Sequence, residues 1–292
     1  MANTATSRAL LVSLNLPKWE ARKLDRKVGA EVAAQHRTDA SAGNYSKNLL
    51  LKGQNSYADL ISHIGSVRVL HYSNTLPWAD DGWRVLPVAN YMAYTAHMRR
   101  GRSDWETKLE AFLADYPALQ AAAKAERNGL LRDEEYPSAA KLRKRFDFDL
   151  SFRPLPSGGD FRVELAADEI ARIAASTEER VKAALDSAQR DGIARLYDCV
   201  QKLHERLADP KAIFRDTLIT NARDLCDALE RLNLADDPRL EDFRQQTAAL
   251  ASADPQELRD NDAMRTFVAN ESDRIMQSMA GFYGPLTGEI NG

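Results

Sequence analysis

The sequence predicts a mainly α protein of the α+β class, and three observations carry that expectation. From Asp168 onward apolar residues recur at steps near three and four, through Ile170, Ala174, Thr177, Val181, Ala184, Ala188, Leu196, Cys199, Leu203 and Leu207. That is the seam of one helix of about 40 residues. Between Phe146 and Leu165 the period drops to two, which is the signature of strands. The 292 residues are 44% hydrophobic and 28% charged, enough to bury two cores without disulfides or metals. The expected organisation is a mixed α+β domain over 1–166 with a hairpin near 146–165, an antiparallel, coiled-coil-like long-helix bundle over 167–284, and a flexible tail over 285–292.

Along the chain, Arg8 to Leu16 is rich in Leu and Val and reads as a strand rather than a signal peptide, since no basic segment precedes its short apolar run. Pro17 is expected to open an amphipathic helix to about His36, with Trp19, Leu24, Val28 and Val32 on its apolar face. Thr38 to Ser46 reads as a loop, and Tyr57, Leu60, Ile61, Ile64, Val67 and Leu70 resume helical spacing. Asn74 and Pro77 end that helix. Tyr91, Tyr94 and Met98, then Trp105, Leu109, Phe112 and Tyr116, predict helix to Pro117, with a separate short helix over Leu119 to Leu131.

The strand signal runs through Phe146, Phe148, Leu150 and Phe152, alternating with Asp147, Asp149 and Ser151. After a Pro- and Gly-rich loop that includes Gly158-Gly159, it resumes at Phe161, Val163 and Leu165. The pair reads as a hairpin whose apolar face covers a helix or joins the first strand. Gly192 is the expected weak point of the long helix. Asp209-Pro210 ends that helix, Asp236-Asp237-Pro238 ends the next, and Asp254-Pro255 opens the last.

The stretch from Arg68 to Pro87, RVLHYSNTLPWADDGWRVLP, concentrates aromatic and ionisable residues. His71, Asp80 and Asp81 contain the ingredients of an imidazole and carboxylate pair for acid–base work. Asp-Asp-Gly is equally the composition of a tight turn, and that reading makes His71, Pro77, Trp78, Asp80, Asp81, Gly82 and Trp83 a structural hub. His63 and His71 lie eight apart, unlike the i, i+4 pair of a zinc helix, so no metal site is expected. The sequence has no GxxxxGK(S/T) phosphate loop, GxGxxG fingerprint, GxSxG elbow or HExxH pair, so no cofactor is expected and a non-enzymatic role is favoured.

With a net charge of −3 and an isoelectric point near 6.0, nothing draws the whole chain to nucleic acid or to a membrane, and no membrane partner is expected. Local clusters do stand out. Lys18, Arg22, Lys23, Arg26 and Lys27 lie near Trp19; Arg99, Arg100 and Arg102 precede Trp105; Lys141, Arg143, Lys144 and Arg145 precede Phe146. Such clusters suit a groove that follows phosphates while rings stack on bases, or the solvated faces of helices. Phe214, Leu218, Leu225, Leu229 and Leu232 form a second apolar seam, suited to joining copies of the chain. Cys199 and Cys226 fall in helical segments rather than in a CxxC, which favours a reducing, cytoplasmic compartment.

NLLLKGQNSY at 48–57, RVLHYSNTLPWADDGWRVLPVANYMAY at 68–94, the Trp105 to Pro117 helix and DFRVEL at 160–165 resemble an uncharacterised family of phage, prophage and conjugative-element proteins. The likeness spans nearly the whole chain. It implies a bacterial host and a place beside a MoxR-type or cobaltochelatase-like AAA ATPase. The leading expectation is therefore a non-enzymatic, oligomeric assembly protein of a mobile element, accessory to such an ATPase. The alternative is a nucleic-acid-binding accessory in recombination or replication.

Overall fold

The computed structural model describes residues 7–53, 55–78, 82–127, 129–157 and 167–284. In chain order the elements are β1 (Ala9–Asn15), β2 (Arg22–Leu24), α1 (Arg26–Gln35), β3 (Ser46–Asn48), α2 (Ser56–Ser73), β4 (Leu76–Pro77), β5 (Arg84–Pro87), α3 (Val88–Glu126), α4 (Ala139–Arg143), β6 (Asp149–Pro154), α5 (Ala167–Ala208), α6 (Thr217–Leu232), α7 (Pro238–Leu250), α8 (Glu257–Asp260) and α9 (Asp262–Tyr283). The fold is mainly α, of the α+β type.

The chain divides into two compact units, but not at residue 166. A bundle unit draws on Met1–Ser13, Leu70–Thr95 and Ser151–Gly292, and an aromatic unit on Leu14–Val69 and Ala96–Leu150. The reason lies in the sheet, whose strands run in the order β4-β5-β1-β6. β1 pairs antiparallel with β5, placing Leu11 opposite Val85, and β5 pairs antiparallel with β4, placing Val85 opposite Leu76. Leu11, Leu76, Val85 and Leu155 are buried in one cluster with Ile193, Leu196 and Val200 of α5. The sheet therefore shares its core with the long helices, because an antiparallel sheet of this size needs a helix to cover its apolar face. The second strand of the expected hairpin, Phe161 to Leu165, its Gly158-Gly159 tip and the tail over 285–292 lie outside the described residues.

In the bundle, α5 packs on α6 and α9, and α7 packs on α6 and α9. Leu203 and Leu207 of α5, Leu229 and Leu232 of α6, Phe243 of α7, and Ile275 and Met279 of α9 fill the centre. The C-terminal end of α5 leaves carbonyl groups without helical partners. Arg265 of α9, itself only 7% exposed, satisfies them by donating to the carbonyls of Arg206, Leu207, Asp209 and Ala212. A guanidinium is suited to this role, since its several donors are held in one fixed plane. Gly192, the expected weak point, does not break the helix, and α5 runs through it. A Cβ there would stand 3.7 Å from Leu229 Cδ2, so the glycine sits against a neighbouring helix in ordinary contact.

The aromatic unit is built around rings. Trp19 contacts Tyr57, Phe112 and Tyr116, and Phe112 also contacts Phe146, with centroids 5.8–6.4 Å apart. Two expectations change because of this cluster. The helix expected from Pro17 does not start there: Trp19 is drawn into the core, Ala21 turns with a φ of +50°, and its carbonyl accepts a 2.7 Å bond from the Leu49 amide. Residues 22–24 then form β2, and α1 starts only after Asp25, whose carboxylate caps the amides of Lys27 and Val28. Second, α3 continues through Pro117 instead of ending there. An internal proline costs a helix about 3 kcal/mol, and the contacts of Phe112 and Tyr116, just before it, with Trp19, Phe146 and Tyr136 work against that cost. Helices α2 and α3 approach closely at Gly101, where a Cβ would come within 3.2 Å of Val67 Cγ2.

Candidate functional site

The described residues of the Arg68 to Pro87 stretch form the end of α2, the short strand β4 and β5. Gly82 takes a φ of +80°, the left-handed conformation glycine adopts without penalty, while Ala79, Asp80 and Asp81 lie outside the described residues. His71, in the last turn of α2, is 4% exposed, and its Nδ1 shares a 2.7 Å hydrogen bond with the Tyr94 hydroxyl. Burial, aided by the nearby Arg84 charge, lowers the His71 pKa to about 4. Burial likewise raises that of Tyr94. The pair is thus neutral at ordinary pH.

Around it the backbone is tied down by side chains. Thr75 Oγ1 donates to the His71 carbonyl at 2.7 Å and accepts from Arg84 Nε at 2.7 Å. Arg84 and Arg195 of α5 both donate to the Thr75 carbonyl, at 3.1 and 3.0 Å. Asn90 Nδ2 donates to the Asn74 carbonyl at 2.9 Å, and its Oδ1 accepts from Arg231 of α6. Trp78 and Trp83 pack against the core of the bundle unit, and the Arg153 guanidinium lies 4.0 Å over the Trp83 ring. Pro77 sits in β4, opposite Arg84. This is a helix-to-strand junction in which the polar side chains of His71, Thr75, Arg84 and Asn90 all have partners.

The aromatic unit contains a second polar knot that the sequence did not reveal. Lys47 of β3 is 3% exposed, and its ammonium bonds Asp25 at 2.8 Å, Glu135 at 2.8 Å and the Leu130 carbonyl at 2.9 Å, using its three protons. Burial works against the ammonium, but the two carboxylates outweigh it and raise its pKa. The hydrogen bond from Lys47 lowers the pKa of Asp25. Burial opposes the charge of Glu135, yet Lys47 and the Arg132 amide bring its pKa down as well. No local pattern marks Lys47, because its partners come from a helix cap and a 3-10 turn far off in sequence.

The three basic clusters all fall in the aromatic unit. Arg22 and Lys23 lie on β2, while Arg26 and Lys27 open α1, and these four are exposed. Lys18 pairs with Glu20 at 3.4 Å. Arg99, Arg100 and Arg102 are exposed on α3, with Arg102 donating to the Phe148 carbonyl. Lys141, Arg143, Lys144 and Arg145 are exposed on and after α4, with Arg143 paired to Glu110. Their aromatic neighbours are not available for stacking: Trp19, Trp105 and Phe146 are only 4–7% exposed. Those three rings belong to the core, so they offer no stacking platform beside the cations they neighbour in sequence.

The second apolar seam faces the chain's own interior. Phe214, Leu229 and Leu232 are buried, and Leu218 and Leu225 pack against the same core. Phe214 lies under two guanidinium groups, with Arg259 at 5.0 Å and Arg265 at 5.4 Å from its ring. These residues close α6 onto α5 and α7 and leave little apolar surface for a second copy. Both cysteines are held as thiols by burial, Cys199 pushed up to about 11 and Cys226 to about 12.

An open groove of about 460 Å³ crosses the aromatic unit where β3 leads into α2, lined by Leu50, Leu51, Tyr57, Ala58 and Ile61, with Glu20, Asn48 and Lys52 at its rim. Seven of its twelve described lining residues fall within 48–57. A smaller hollow of about 280 Å³ in the bundle unit is lined by Arg8, Val88, Arg231 and Asp236, with Arg8 and Asp236 paired. No described helix is long and apolar enough to cross a membrane. Comparison of the chain with protein-family models, curated proteins and solved structures finds no match.

Proposed function

We propose that this chain is a non-enzymatic interaction or assembly protein of a phage or mobile element, working as an accessory to an AAA ATPase in the host cytoplasm. The observation that supports the reading is the segregation of charge. Residues 14–69 and 96–150 carry 20 Lys and Arg against 15 Asp and Glu, whereas the rest of the chain carries 20 against 28. Within the basic unit, Asp25 and Glu135 are turned inward onto Lys47, so cations dominate its outward-facing charge around β2 and α1. Surfaces of opposite sign on one chain favour steered association with copies or partners.

Since Phe214, Leu218, Leu225, Leu229 and Leu232 are used internally, self-association on this reading runs through charge rather than through that seam. Light scattering at micromolar concentration should then give a multimer that dissociates as salt is raised. A strict monomer at low salt would count decisively against assembly. A second reading, a nucleic-acid-binding accessory, is favoured by the exposure of all three basic clusters in one unit. With Trp19, Trp105 and Phe146 buried, it predicts sequence-independent binding that weakens steeply with salt and on neutralising Arg22, Lys23, Arg26 and Lys27. Failure to bind an oligonucleotide at low salt would eliminate it.

A further inference from the structure

We infer that the groove between β3 and α2 is a docking site for a protein segment that carries an apolar anchor flanked by carboxylates. The inference rests on the interaction-protein reading and specifies the partner's chemistry. The floor is apolar: Leu50 is 4% exposed, while Leu51, Tyr57, Ala58 and Ile61 are part-exposed along the opening. Taking a leucine-sized side chain out of water there would anchor a segment but not select it.

Selection comes from the rim. Lys52 lines it directly, Arg22 Nε donates to Asn48 Oδ1 at 3.3 Å, and an Arg127 guanidinium nitrogen donates to the Asn48 carbonyl at 3.2 Å. Lys18 stands beside Glu20, at 3.4 Å. Among the described residues that line the groove the charged ones are Lys52 and Glu20, with Arg22, Arg127 and Lys18 beside them. Helix α2 also begins here, with Asn55 Oδ1 accepting from the Ala58 amide at 2.9 Å, and the positive end of its dipole favours a carboxylate.

The groove is also fixed in place. Ala21, in its wall, holds a left-handed conformation that a non-glycine residue adopts only when its surroundings enforce it, and the Leu49 amide bonds its carbonyl. Tyr57 donates to the Trp19 carbonyl at 2.8 Å, tying the start of α2 to the aromatic core. A preformed site loses less ordering entropy on binding. The cations spread over β2, the rim and the end of α3, so the occupant extends beyond the groove itself. A nucleic acid would use the cations but would leave the apolar floor empty.

Fluorescence anisotropy tests this with three fluorescein-labelled probes: a short peptide of alternating Leu and Glu pairs, its Leu and Lys counterpart, and a single-stranded oligonucleotide. The Leu/Glu peptide should bind, and should bind at least about tenfold more weakly to Ala58→Phe, which fills the groove, and to Lys52→Glu, which reverses the rim. Lys52 is exposed, so its variant keeps the test valid even if Ala58→Phe disturbs folding. The inference is overturned if the Leu/Glu peptide does not bind, if the Leu/Lys peptide binds as well, or if neither variant weakens binding. It is overturned in favour of nucleic acid if the oligonucleotide binds more tightly than the Leu/Glu peptide and ignores Ala58→Phe. Loss of peptide binding with the multimer intact would remove the groove alone. A monomer that still binds the peptide would remove the assembly reading alone.

Discussion

Each unit has a buried polar knot where a strand meets a helix, and the two are built on opposite principles. The knot around His71 is centred on a neutral imidazole and a neutral phenol, with arginines reaching its carbonyls from outside. The knot around Lys47 is ionic, one ammonium between two carboxylates. In sequence the first is conspicuous and the second invisible, yet both serve as fasteners. A dense cluster of aromatic and ionisable residues is therefore weak evidence for catalysis until the partners of each polar atom are known.

The largest expected difference between the knots is their response to acid. His71 has a folded pKa of about 4, below its unfolded value of about 6.5. Between those values the unfolded chain binds the extra proton, so stability is complete above pH 6.5 and falls as pH drops toward 4, by about 3 kcal/mol in all. Asp25 and Glu135 have folded pKa values below 3.8 and 4.5 respectively, so their contribution is kept above the unfolded values and lost only at more acid pH. Hydrogen exchange followed by mass spectrometry should show the end of α2 and β4 loosening between pH 6 and 5 while β3 stays protected. Equal loosening of both would break the comparison.

A somewhat smaller effect is expected from Lys47→Met, which leaves two carboxylates facing each other with their main cation gone. Breaking a deeply buried pair costs about 3–5 kcal/mol. This one lies shallow, with Lys23 reaching Glu135 from the solvent side at 3.8 Å, so about 2–3 kcal/mol is expected. Adding Glu135→Gln to Lys47→Met should recover part of the loss, because one of the two stranded charges is then removed. Denaturant unfolding reads both values. A double variant less stable than Lys47→Met would mean that Glu135 matters for packing and not for charge.

Much of the secondary structure was legible and the tertiary wiring was not. The Leu- and Val-rich run gave β1, the two-residue period gave β6, and Asp209-Pro210 and Asp236-Asp237-Pro238 marked helix ends, because each is a local signal. The continuous α3 was hidden because a proline's local cost was outweighed by contacts that Phe112 and Tyr116, before it in the same helix, make with rings from elsewhere in the chain. The late start of α1 was hidden for the same reason, with Trp19 taken into the core rather than lying along a helix. The groove was missed because Tyr57, Ala58 and Ile61 fit a helical period whether they face a core or an open cleft. Periodicity reports that a face is apolar, and only the fold reports what covers it.

The smallest effect should come from Tyr94→Phe, and it separates two accounts of the neutral knot. The phenol is the partner of His71 Nδ1, and Tyr94 is fully buried, so the variant keeps the ring and removes one hydrogen bond. A neutral bond of this kind contributes about 1 kcal/mol, with the unpartnered imidazole nitrogen as the main penalty. The Phe152 ring stays in edge contact with the ring at position 94, 6.4 Å away, so packing should change little. If burial is what depresses the His71 pKa, the midpoint of acid loosening should hardly move in Tyr94→Phe, and only the overall stability should fall. A midpoint that climbs toward 6.5 would instead mean that the phenol itself keeps the imidazole unprotonated, and the knot would then depend on a specific pair rather than on its dry surroundings.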